Sequence, residues 1–201
     1  RLENADGPIS LADMQAIQAD TYNLNAAELL PYLLEAPLDD ADLAATRDLL
    51  TNWDLHNDVD SQGAAIFEVF WKHLVIETFY DELPPSDDPE IDSPHPNGGS
   101  RWMEVIRLLV EDPENAWWDD INTAEREDRD AIIARAFAAA VDELNKELGR
   151  DPAAWRWGDL HVIYFEHTVM SNFPLAPGIF NRGQIPNAGC TVTVNATCWK
   201  T

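Results

Sequence analysis

The stretch Ser61–Leu83 reads SQGAAIFEVFWKHLVIETFYDEL, and the structure it adopts decides the class of the whole chain. Its later half, LVIETFY, carries the β-branched and aromatic residues that strands favour. From Ala64 onward, however, no Gly or Pro interrupts it, and so long a run fits a helix better than a strand. Wound as a helix, Ile66, Phe67, Val69, Phe70, Trp71, Leu74, Val75, Ile76, Phe79 and Tyr80 leave almost no polar stripe. A helix apolar most of the way round is buried on several sides. The segment is therefore predicted to be the core helix. It does not span a membrane, because Glu68, Lys72, His73 and Glu77 interrupt its apolar tract.

Helical signals continue on both sides. In SLADMQAIQAD, Ser10 is placed to cap the first turn and Asp13 to complete a capping box, with Leu11, Met14 and Ile17 on one face. A second helix is expected over Ala26–Glu35, distorted at Pro31, which lacks an amide donor. Asp39 or Asp40 caps a third, carrying Leu43 and Leu50. Beyond the core helix, PPSDDPEIDSPHPNGGS is rich in structure-breaking Pro, Asp and Gly and reads as an exposed loop over 84–100. RWMEVIRLLVE then places Trp102, Val105, Ile106 and Leu109 on one face that needs a partner. A long helix runs through REDRDAIIARAFAAAVDELNKELG, with Ile133, Phe137, Val141, Leu144 and Leu148 as its stripe and Gly149 as its stop. Asp151 and Pro152 suit the cap and first position of a short helix.

From Leu160 the character changes. LHVIYFEH and CTVTVNA are β-rich, and the Pro and Gly between them suit irregular connections. The expected fold class is α+β: a mostly helical fragment, helical over 8–158 and strand-rich over 159–201. So few strands do not complete a sheet, which points to pairing with polypeptide outside this sequence. The chain starts with Arg1, carries no apolar signal segment and ends on strand-like sequence, so both ends are expected to be cut from something longer.

Thirty-seven acids oppose thirteen Lys and Arg, for a formal net charge of -24. Such a surface repels phosphates and anionic lipids, excluding nucleic acid and membrane surfaces as natural partners. Acid-rich, lysine-poor sequences suit high salt or a place outside the cytoplasm, and also occur in ordinary acidic proteins. Cys190 and Cys198 are the only cysteines. A straight strand would hold their Cα atoms about 26 Å apart, so a disulfide requires the chain to fold back. Whether they pair is left open.

No local catalytic signature occurs. Histidines 56, 73, 95, 161 and 167 form no HExxH, and no serine lies in GxSxG. In WRWGDLHVIYFEH, His161 and His167 stand roughly 20 Å apart as a strand and turn about 600° apart as a helix, so they do not share a metal. They read as polar anchors at the ends of a buried strand. His73 reads as a hydrogen-bonded core imidazole. Asp54, Asp58 and Asp60 superficially resemble a calcium loop, but the twelfth position from Asp58 is Val69, so helix capping is the better explanation. The acidic run Asp81–Asp92 reads as solvated surface, and Ser10 and Ser61 as caps. Trp53, Trp71, Trp102, Trp117, Trp118, Trp155, Trp157 and Trp199 read mainly as core, with lining of an acyl pocket as the lesser alternative. The chain itself offers no catalytic, cofactor-binding or metal residue.

Taken in order, SLADMQAIQADTYNLNAAELLPYLL, LLTNWDLHNDVDSQGAAIFEVFW, WGDLHVIYFEH and FNRGQIPNAGCTVTVNA resemble the carboxy-terminal part of the β chain of penicillin acylases, the penicillin amidase family of N-terminal nucleophile hydrolases. NAGC departs from the Gly-Gly-Asp type turn of many relatives. The resemblance implies an αββα sandwich and a precursor that cuts itself into α and β chains, exposing a serine whose own amine is the base. Arg1 has no hydroxyl, so that serine lies on another segment, as do any calcium ligands. It further implies the remaining α and β segments as partners, a small N-acyl amide such as a penicillin or an acyl-homoserine lactone as substrate, a periplasmic or extracellular location, and inactivity of this chain alone. The rivals are a noncatalytic acidic helical protein-interaction module and a calcium-dependent binding protein.

Overall fold

The computed structural model describes residues 7–85, 96, 99–170, 173 and 177–196. Helix α4 (Gln62–Phe79) starts where Ser61 accepts a hydrogen bond from the Ala64 amide, and 13 of its 18 residues are buried. At Gly63 a Cβ would stand 2.3 Å from the Trp53 ring, so only glycine lets the indole lie against the first turn. Helix α6 (Arg129–Glu147), capped by Asp128, is its main partner. Phe67, Phe70 and Phe137 meet with ring centroids 6.0 and 6.3 Å apart. Each such buried side chain stabilises the fold by roughly 1.5–3 kcal/mol, so this pair is where the apolar driving force concentrates.

Around it lie α1 (Leu11–Gln18), α2 (Leu24–Glu35), α3 (Ala41–Asp48) and α5 (Ser100–Leu109). The Ser10–Asp13 capping box forms in full, with the Ser10 amide 2.8 Å from the Asp13 carboxylate. The apolar stripe behind it finds no core, however, and Leu11 is 77 % exposed. Asn23 caps α2, and Pro31 sits within that helix. Asp40 rather than Asp39 caps α3; Leu50 lies beyond the end of α3 yet is fully buried. In the expected 84–100 loop, residues 86–95, 97 and 98 lie outside the described residues. Pro96 is buried and its carbonyl accepts from the Tyr80 hydroxyl, while Ser100 already belongs to α5. Asp151 caps a single 3-10 turn, Pro152–Ala154.

The carboxy-terminal part departs from expectation. WGDL forms a helical turn, α7 (Trp157–Leu160), before β1 (Val162–Phe165). After the short α8 (Pro177–Phe180), the antiparallel partner of β1 is β2 (Arg182–Pro186), which falls in the stretch expected to be irregular. Val162 pairs with Pro186, Ile163 with Ile185 and Phe165 with Arg182, with an irregularity between the last two. The strand expected in CTVTVNA does not form over its described residues, 190–196, which are turns and bends. The Thr193 hydroxyl accepts from the Cys190 amide at 2.9 Å and reaches Asn195 O at 2.8 Å, a local alternative that displaces the ladder. Nor is β1 buried: Tyr164 and Phe165 are 57 % and 60 % exposed. Among the described residues no helix is long and apolar enough to cross a membrane. The architecture is thus α+β, a helical body with a two-stranded sheet.

Candidate functional site: a buried polar junction

Three stretches distant in sequence converge on the second turn of α4. Asn23 uses its Oδ1 to cap α2 at Ala26 N, 2.9 Å away, which leaves its amide free to donate. That amide reaches Glu68 Oε1 at 2.7 Å, Asn57 Oδ1 at 3.3 Å and Cys190 Sγ at 3.8 Å. Asn57 donates to the same Glu68 oxygen at 2.8 Å. Asn23, Asn57, Glu68 and Cys190 are all buried. Burial pushes the Glu68 carboxyl above its ordinary range, against the opposing hydrogen bonds of Asn57, Cys190 and Asn23. Burial likewise pushes the Cys190 thiol up, so it stays protonated and unreactive.

Backbone bonds strap the junction. Gly189 N donates to Asn57 O at 2.7 Å, Asn57 N to Thr21 O at 2.9 Å, Asn23 N to Leu55 O at 2.8 Å and Asn195 N to Asp20 O at 2.9 Å. Gly189 has φ +82°, and a Cβ there would meet Asn195 O at 1.9 Å, so the NAGC turn requires this glycine. Trp157 donates from its indole to Gly189 O at 2.9 Å and stacks on His161, whose Nδ1 lies 2.8 Å from Asn187 O. His161 is indeed a buried polar anchor, but of this turn rather than of a buried strand. His167 is exposed, its Nδ1 accepting from the Val169 and Met170 amides.

Beside the junction, Thr21, His56 and Asp58 superficially form a catalytic constellation. The order of bonds is wrong for acyl transfer. The Thr21 hydroxyl donates to Asp58 Oδ1 at 2.8 Å, so the His56 Nδ1, 3.1 Å away, is left to donate to Thr21 rather than to remove its proton. The arrangement braces the Tyr22–His56 bridge. One turn further along α4, Lys72 and its neighbour His73 hold Glu143 of α6 at 2.8 and 2.9 Å. Burial opposes ionisation of Glu143, yet these two neighbours keep it below the usual carboxylate range. His73 is thus a structural, hydrogen-bonded imidazole.

Asp54 accepts from the His56 amide and Asp58 from Thr21, so neither caps α4; Ser61 does, because its short hydroxyl sits at the cap itself. Among the described residues no three His, Cys, Asp or Glu side chains come together to hold a metal. Buried indoles serve as pins: Trp118 donates to Asp112 O at 3.0 Å and Trp155 to Gly149 O at 2.7 Å. Trp117, by contrast, is 39 % exposed. His95, Cys198, Trp199 and residues 86–92 of the acidic run lie outside the described residues. Sequence reasoning missed the junction. Its signal was Glu68, a single acid inside an apolar stretch, which must find partners once buried.

The penicillin amidase family model matches residues 1–201. The acyl-homoserine lactone acylase QuiP of Pseudomonas syringae pv. tomato is 33% identical over 180 residues, covering 90% of this chain and 22% of that protein. QuiP of Pseudomonas syringae pv. syringae is 34% identical over 137 residues, 68% of this chain and 17% of its own length. One from Pseudomonas fluorescens is 29% identical over 200 residues, 92% of this chain and 24% of its own length. The chain therefore spans about a fifth of the length of these relatives. The match runs from the first residue to the last, and the chain belongs to the penicillin amidase family.

Proposed function

We propose that this chain is a scaffold portion of an amidohydrolase, an acylase acting on N-acyl compounds such as acyl-homoserine lactones or penicillins. The observation that carries the reading is the family match over residues 1–201; likeness to acyl-homoserine lactone acylases favours lactones bearing an acyl amide. The nucleophile in this reading is a serine at an amino terminus on another segment, freed by autocatalytic cleavage. Its hydroxyl adds to the amide carbonyl while its own amine takes the proton; the amine product leaves with that proton, and water then hydrolyses the acyl ester. The bonding of Thr21 and the protonated state of Cys190 support placing the nucleophile elsewhere.

The exposed apolar side chains of Tyr164, Phe165, Ile179, Phe180 and Ile185, each 46–67% exposed on or beside the two strands, support cover by the remaining α and β segments of the same precursor within an αββα sandwich. Any calcium would be bound by those segments, and the location would be periplasmic or extracellular. The test is to assay the 201-residue chain and the complete protein side by side on an N-acyl-homoserine lactone and a penicillin. Activity in the complete protein alone, with a companion chain that begins with serine by intact mass, is the expected result. Full activity of the isolated chain would overturn the reading.

A further inference from the structure

We propose that Glu68 is carried as a neutral carboxylic acid and acts as a proton-held latch, docking the 187–196 turn while protonated and releasing it on ionisation. The inference goes beyond the acylase reading and does not depend on it.

Three side chains face the carboxyl. Asn23 approaches from the cap of α2, Asn57 from the 53–60 loop and Cys190 from the turn itself. Only the thiol among them titrates, and none is a cation. The nearby cations are held elsewhere: Lys72, one turn further along α4, is bound by Glu143 at 2.8 Å, and Arg135 of α6 by Glu77, Asp120 and Glu127. His56 turns to Thr21 and His161 to Asn187 O. The buried residues that α6 supplies are apolar. A buried carboxylate without a cation keeps its desolvation penalty, which neutral amide donors offset only in part. Burial accordingly raises the Glu68 pKa in the docked state.

The sign follows from linkage. In the open state the carboxyl meets water and titrates near its ordinary value of 4.5, whereas docked it holds its proton to higher pH. Docking is therefore firmest below that ordinary value. Above it, opening grows about tenfold per pH unit until the docked pKa is reached, then levels off. Ionisation sends the proton to solvent and leaves a charge facing Asn23, Asn57 and the thiol, a set that includes no counter-ion.

The experiment follows amide hydrogen exchange of Gly189 and Asn195, whose N–H groups bond Asn57 O and Asp20 O. Measurements run from about pH 4 to about 9, corrected for intrinsic exchange, on the unsubstituted chain and on Glu68→Gln. The unsubstituted chain should lose protection by about tenfold per pH unit above the ordinary carboxyl range, while Glu68→Gln stays protected with a flat profile. Isotope-edited infrared spectra of the unsubstituted chain at neutral pH should show the carbonyl stretch of a protonated acid at Glu68. An equal slope in both chains, or carboxylate bands for Glu68 at neutral pH, would overturn the proposal. Should Glu68→Gln fail to fold, the infrared spectra alone decide it.

Discussion

At Arg135 a guanidinium that is 33% exposed meets three carboxylates, with Nε 2.6 Å from Glu77, Nη2 3.1 Å from Asp120 and Nη1 3.4 Å from Glu127. All three acids are less than a quarter exposed, so each relies on that one cation. Next to them, burial, the Asp81 carboxyl and the charge of Asp120 push Glu82 up to about 7. This corner is already crowded with negative charge, and removing its cation does more than delete contacts. Arg135→Ala should lower stability in urea unfolding at neutral pH by about 2–4 kcal/mol, because it strands partly buried charges rather than merely losing a surface pair. The loss should shrink toward pH 5, as Glu82 gains its proton and the local repulsion falls. An unchanged midpoint would mean that water, not Arg135, neutralises the corner. No local pattern marks this cluster, since Arg135 and Glu77 lie on different helices.

Identical capping chemistry has different consequences on different elements. Ser61 caps α4, which is largely buried, and Ser10 caps α1, which has no buried residue. Ser61→Ala should cost about 1 kcal/mol of global stability in denaturant unfolding. Ser10→Ala should leave the global midpoint in place and raise exchange only in the α1 amides, since fraying there uncovers no core. Equal shifts in both variants would show that α1 is coupled to the body after all. The same distinction explains what was legible. The helices α4 and α6, the Ser61 cap and the Gly149 stop were readable because periodicity and capping act within a few residues. The pairing of β1 was not, because Arg182, Gly183, Gln184 and Pro186 carry no strand signal; β2 is defined by its ladder with Val162–Phe165 and not by its own side chains. CTVTVNA carried the stronger local signal, yet Thr193 turned it back on itself. The junction was invisible for a related reason, since Asn23 lies 45 positions from Glu68 and 167 from Cys190.

Across the whole molecule, net repulsion opposes compaction. With 37 acids against 13 Lys and Arg, acids outnumber cations nearly threefold, and some of the cations are already engaged, as in Lys72–Glu143 and the Arg135 cluster. Added salt acts on both populations, but unequally. It screens exposed charges strongly, shortening the Debye length from about 30 Å at 0.01 M to about 3 Å at 1 M, and screens the half-buried pairs much less. Repulsion should therefore weaken faster than the pairs do. The expected outcome is a Tm that rises steadily from about 0.01 M to about 1 M NaCl, with KCl giving the same curve because screening does not distinguish the two cations. A rise with sulfate but not with chloride would instead trace the gain to apolar burial. A Tm that fell with NaCl would mean that the pairs outweigh the repulsion, and the acidic surface would then need a reason other than tolerance of a salty surrounding.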